Sequence, residues 1–307
     1  MKEVEIARHS HLVDPFHVWG WEIPVYLFLG GLAAGIMIFS VLLEKRAAKS
    51  FSPWARRLPF ATPILLSIGM LALFLDLEYK LHVYRFYLAF QPSSPMSWGA
   101  WILLIVYPAS IGLGLANLSD TDQKALESWP WVERLRTLAV TYRPMLRWIN
   151  LLVGAALGIY TGVLLGALGG ARPMWNSALL GPLFLVSGAS TGAALMMLFP
   201  LHHDEHDALR QWDMGTIALE VVLLFLFIIG LLTGGGQLGR DAASMFLGGA
   251  YTATFWSLVI LAGLVIPFAL KVVENTAKCQ PTRLAPVLIL VGGLSLRWVI
   301  VLAGQAG

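Results

Sequence analysis

The chain reads as long apolar runs broken by short polar stretches, with no two-residue alternation inside the runs. A helix needs about 20 such residues to cross ~30 Å of hydrocarbon. Eight segments suit a span: Ile23–Leu43, Phe60–Leu77, Trp98–Leu118, Leu146–Leu168, Ala178–Phe199, Thr216–Thr233, Thr252–Lys271 and Leu284–Ala303. Their continuity argues against a β-barrel, whose strands alternate apolar and polar positions. The pattern predicts an all-α integral membrane protein with eight transmembrane helices. Residues 169–177, which include Pro173, break the fourth run from the fifth. Residues 1–20 are mixed polar and lack the basic, apolar and small-residue succession of a signal peptide, so they are read as an N-terminal segment outside the membrane.

Composition agrees with this reading. Of 307 residues, 57% are hydrophobic and 13% charged, against roughly 25% charged in a water-soluble domain. The net charge of +3 reflects loop asymmetry rather than nucleic-acid binding. Alternate loops collect fourteen Lys and Arg on one side, Lys271 and Arg210 included, and six on the other. Positive loops stay in the cytoplasm, which predicts that both termini face outward. The longest connection, Ser119–Arg147, carries a candidate interfacial helix around Trp129–Leu138. The single cysteine, Cys279, supports neither a disulfide within the chain nor an iron–sulfur cluster.

Ionisable residues within spans are costly, so each is a functional candidate. Glu22 begins the first span, with Tyr26 one turn deeper, and Asp76 ends the second span on the same side. Tyr160 lies in the outer half of the fourth span and Arg297 in the outer half of the eighth. Carboxylates and phenols at one depth suit hydrogen bonding to the carbonyl oxygens of a ring and handling of its protons. Glu220, ~12 Å inside the cytoplasmic end of the sixth span by helical rise, is a candidate proton relay with Arg297. Plainer readings stand beside these. Glu22 and Asp76 are wet at the interface, Tyr26 belongs to an aromatic belt, and Arg297 is a structural counter-ion to Asp76 or Glu220.

No histidine falls mid-span, which argues against a transmembrane haem. His9, His11 and His17 precede the first span and His82 follows the second. The cluster His202-His203-Asp204-Glu205-His206 reads as solvated loop residues in preference to a metal site. No phosphate loop, nucleotide fingerprint or nucleophile elbow is present. Gly30 to Gly35 and the series Gly154, Gly158, Gly162 are small-residue faces that permit close helix packing. Gly234-Gly235-Gly236 reads as a turn. A weak echo between Pro24…Leu27-Phe28-Leu29 and Pro182-Leu183-Phe184-Leu185 is compatible with a parallel repeat.

Five stretches stand out: Trp21 to Gly35, Pro92 to Trp101, Tyr160 to Leu165 with Pro173, Trp175 and Asn176, Leu183 to Ala194, and Leu296-Arg297. Together, and in this order, they resemble the membrane subunit of polysulfide reductase, the NrfD-type family. The resemblance implies two four-helix bundles, residues 21–168 and 169–307. It implies a quinone site in the first bundle, holding menaquinone or another quinone, and no redox metal in the chain. It also implies partners: a ferredoxin-like iron–sulfur subunit on the periplasmic face and a molybdopterin or multihaem catalytic subunit. The family's site tyrosine in the fourth helix matches Tyr160. Family members carry Asn and His where this chain offers Glu22, Ile23 and Tyr26. After Asp76-Leu77, a common Gly-Arg-Pro turn is replaced by Glu78-Tyr79-Lys80.

The function expected is a quinone-reacting membrane anchor of a respiratory oxidoreductase, with proton translocation as an open question. The rivals are a secondary transporter, which places its site near the midplane between broken helices, and a passive anchor without quinone chemistry.

Overall fold

The computed structural model describes residues 19–46, 51–77, 80, 84, 88, 91, 94–119, 122, 129–168, 172–234, 236–277 and 282–306. All regular structure among them is helical. Among the described residues, eight helices are long and apolar enough to cross a membrane: Glu22–Arg46, Pro53–Asp76, Pro95–Asn117, Arg143–Ala167, Ser177–Met197, His203–Gly234, Thr252–Ala277 and Leu284–Gln305. They are called the first to eighth spans below. Cys279, Gly235, Glu78, Tyr79, His9, His11, His17 and His82 fall outside the described residues, as does most of the segment 1–20.

Local chemistry sets several of the ends. Ser52 caps the second span, its hydroxyl accepting the Ala55 N–H at 3.2 Å ahead of Pro53. Asn176 caps the fifth by accepting from the Ala178 N–H at 3.0 Å. The connection forms the helix Pro130–Thr141 where one was expected, and it exposes Trp131, Leu135 and Leu138.

The sixth span departs from the expected boundary, starting at His203 rather than Thr216. Its first turns are helix rather than loop: His202, His203 and Asp204 are solvent-exposed as expected, whereas Glu205 is drawn inward. Glu205 is 1% exposed and accepts the backbone N–H groups of Ser52 at 2.9 Å and His202 at 3.0 Å. Asp213 forms a buried ion pair with Lys271, which is therefore no loop cation. Hydropathy counts each charge as an unpaired cost, whereas pairing offsets part of that cost. Glu220 consequently stands 17 residues from the helix start, about 25 Å by rise rather than ~12 Å.

The centre of the molecule is the crossing of the first and fifth spans. A Cβ at Gly188 would lie 2.7 Å from the Gly31 carbonyl oxygen, and one at Gly192 would lie 2.6 Å from Gly35 Cα. Without side chains the two backbones touch, the contact that drives helix association where no hydrophobic effect operates between helices. The fourth span closes on the same pair, with Gly154 against Met37 and Gly158 against Leu185. The seventh span is π-helical over Phe255–Val265, a rare, widened geometry that is frequent at functional sites. Around this centre, Ile64, Ile68 and Leu71 of the second span and Val222, Phe225 and Leu226 of the sixth face outward as a lipid-compatible surface.

Both ends of the described chain meet at one end of the bundle. The Trp19 N–H donates to Gln305 Oε1 at 2.8 Å, and Gln305 Nε2 donates to the Trp19 carbonyl at 3.0 Å. An even number of crossings puts both ends on the same side, and these two hydrogen bonds bring them into contact.

Candidate functional site: a cavity between the first four spans

A cavity of about 420 Å³ opens between the first four spans. That volume is within the ~300–1,000 Å³ of small-molecule sites. Its wall is apolar, built from Met70, Leu73, Phe74, Leu77, Leu103 and Leu164, with polar groups at Tyr26, Tyr160 and Ser67. Tyr26 and Tyr160 hydrogen-bond to one another through their hydroxyls. Tyr26 is 2% exposed, which removes it from an aromatic belt.

Gly99 of the third span decides how Tyr160 sits. A Cβ at position 99 would collide with the phenol ring and its hydroxyl, so only glycine leaves the ring its place beside the cavity. Ser67 bonds across the second and third spans to the Tyr107 hydroxyl at 2.9 Å and to the Pro63 carbonyl at 2.7 Å. Sequence reading missed this second polar point because a lone serine in an apolar run carries no charge signal.

The two carboxylates stand beyond the cavity wall. Glu22 is one turn out from Tyr26 on the first span, and Asp76 lies between Phe74 and Leu77, both of which line the cavity. Asp76 stands near enough to feel the charge of Glu22. Four predicted residues are thus gathered at one end of the first four spans, two in the cavity and two at its rim. The donor set fits a flat, apolar ring with carbonyl oxygens: phenol O–H groups in an apolar wall supply hydrogen bonds where water is scarce.

Glu220 and Arg297 are elsewhere, between the first, fifth, sixth and eighth spans. Arg297 is fully buried, donating to the Gly293 carbonyl at 2.8 Å, Ser187 Oγ at 3.1 Å and the Phe184 carbonyl at 3.3 Å. Glu220 hydrogen-bonds Ser187 and faces the charge of Arg297. Glu220 rather than Asp76 is therefore the arginine's counter-ion. The two phenylalanines of the sequence echo, Phe28 and Phe184, hold the guanidinium 5.8 and 5.1 Å from their ring centroids. The residues that sequence reading missed here are Ser187, Ser190, Asp213 and Lys271. The last two lie at span ends, where a charge looks ordinary.

The family model described as polysulphide reductase, NrfD, matches residues 8–307. The chain is 31% identical to protein NrfD of Escherichia coli, over 94% of this chain and 95% of that one. It is 28% identical to a polysulfide reductase chain of Wolinella succinogenes, over 94% of each. It is 24% identical to a selenate reductase subunit of Mesobacillus selenatarsenatis, over 92% of this chain and 73% of that one. These relatives include named subunits of reductases, and the resemblance carried by the five sequence stretches extends over nearly the whole chain. The protein belongs to the NrfD polysulphide reductase family.

Proposed function

We propose that this chain is the quinone-reacting membrane subunit of a bacterial respiratory oxidoreductase. The observation that carries the reading is the apolar cavity with Tyr26 and Tyr160 hydrogen-bonded at its wall and Glu22 and Asp76 at its rim. A passive anchor has no use for such a cavity, and a transporter site is expected nearer the midplane.

A quinone, menaquinone or another, supplies a two-electron, two-proton couple when bound. Tyr160 donates a hydrogen bond to one carbonyl oxygen, and Tyr26 orients the Tyr160 hydroxyl. Glu22 or Asp76 exchanges the coupled proton with water at the rim. Electrons pass between this site and a ferredoxin-like iron–sulfur subunit docked on the periplasmic face, with a molybdopterin or multihaem subunit completing the complex. In this reading residues 21–168 and 169–307 form two four-helix bundles in the inner membrane, with both termini periplasmic as the loop charges favour. Glu220 and Arg297 belong to a proton path.

Quinone turnover by the assembled complex tests the proposal. Tyr160→Phe removes the hydroxyl and keeps the ring, and turnover is expected to fall by about 10²-fold with assembly intact. An unchanged rate in a fully assembled variant removes Tyr160 from the chemistry.

A further inference from the structure

Beyond the Glu220–Arg297 pair, the described spans hold a second buried ionic centre. Lys271 of the seventh span and Asp213 of the sixth form an ion pair, with side chains 2% and 0% exposed. Ser190 of the fifth span donates to Asp213 Oδ1 at 2.6 Å, and the Thr216 hydroxyl lies 3.1 Å from the same oxygen. A buried pair of this kind is often no more stable than a packed apolar replacement, so its presence calls for a use.

Its position supplies one. Asp213 and Glu220 stand two turns apart on one helix, about 10 Å along the axis. Ser190 and Ser187 stand one turn apart on the fifth span, the first on Asp213 and the second on Glu220. A void of about 10 Å³ lined by Ser187, Thr191 and Glu220 sits at the inner end of this ladder, close to the ~10–15 Å³ that admits one water. On the other side, Lys271 faces the charges of Glu274 and Arg210. His206 senses Arg210, Asp207, Glu274 and Lys271. Arg210 binds Asp207 at 3.0 Å and reaches Asn275 at 3.3 Å, while Glu274 accepts from the Thr282 N–H and hydroxyl. Asp207 also pairs with His203, which is 81% exposed. Polar groups thus run from solvent to the buried pair.

We infer that Asp213 and Lys271 form a proton-loading site that feeds Glu220 from the Lys/Arg-rich side of the membrane. The inference rests on the proposed quinone reading and extends its proton path. Lys271 gives a proton to Asp213 Oδ2 and is reprotonated from the end carrying Asp207 and His203. Asp213 passes its proton by Ser190 and one water beside Ser187 to the Glu220 carboxylate. One proton is taken up for each delivered, and no electron moves.

The test uses the assembled complex in vesicles, with proton uptake from the Lys/Arg-rich side read by a pH-sensitive dye per quinone turned over. Lys271→Arg keeps the charge and the pairing but holds its proton. Uptake per turnover is expected to fall about tenfold or more, while turnover in detergent, supplied with protons at the Glu22 and Asp76 rim, continues. The double change Asp213→Leu with Lys271→Met replaces the pair by apolar groups and guards against failure of the single variant to assemble; it is expected to lose uptake equally. Wild-type uptake in either variant overturns the relay, as does a wild-type complex that turns over quinone without uptake from that side. Absence of quinone turnover in the wild-type complex strikes the quinone reading instead.

Discussion

Arg297 passes directly over Gly31: a Cβ at position 31 would lie 2.7 Å from its Nη2. The close crossing of the first and fifth spans and the buried guanidinium therefore depend on the same missing side chain. Gly31→Ala is expected to displace Arg297 from Ser187 and to cost about 1–3 kcal/mol through overpacking. Thermal unfolding in detergent reads the loss, and an unshifted midpoint would show that the arginine has slack.

Glu220 and Arg297 share Ser187, and both are buried. Removing one charge leaves the other buried and unpaired, at about 3–5 kcal/mol. Arg297→Met should therefore destabilise the protein strongly, and Glu220→Gln in the same chain should restore part of the loss. The coupling is measured by a double-mutant cycle. Strict additivity would mean that the pair does not interact.

Gly99 tests the cavity independently of any hydroxyl. Gly99→Ala pushes on the Tyr160 ring while leaving every polar group in place. Binding of a quinone analogue to the purified complex should weaken about tenfold, roughly 1.4 kcal/mol. Equal affinity would place the ligand away from Tyr160.

At the surface, Arg57 pairs with Asp122, which also accepts from the Ser119 hydroxyl at 2.8 Å. The Arg57 guanidinium holds the Asp122 carboxyl below its ordinary 3.8. A depressed folded value means that the tie is fully present above the unfolded value and is lost as pH falls through the folded one. Protection of the amides near Ser119, measured against their intrinsic exchange at each pH, should therefore fall on acidification below about pH 4. Asp122→Asn should abolish that dependence. The pair is exposed, so its effect is local and weakens with salt.

The quinone-site candidates were legible because charged and phenolic groups stand out against apolar runs. Counting along helices puts Tyr26 and Tyr160 at one depth, and they meet in the fold. It puts Glu22 and Asp76 at the same end, and they are close, but at the rim of the cavity rather than in its lining. Linear depth is readable from helical rise, whereas the direction in which a side chain points depends on how each helix is rotated against its neighbours.

What the sequence determined alone was the class, the number of spans and the existence of small-residue faces, since lipid demands long apolar helices and tight crossings demand glycine. Tertiary structure alone decided the partners. It set Arg297 against Glu220 rather than Asp76, drew Asp213 and Lys271 inward from what looked like loop ends, and extended the sixth span to His203. Hydropathy scores each charge by itself, and the free energy of a buried charge is fixed by the group opposite, which a linear string does not name.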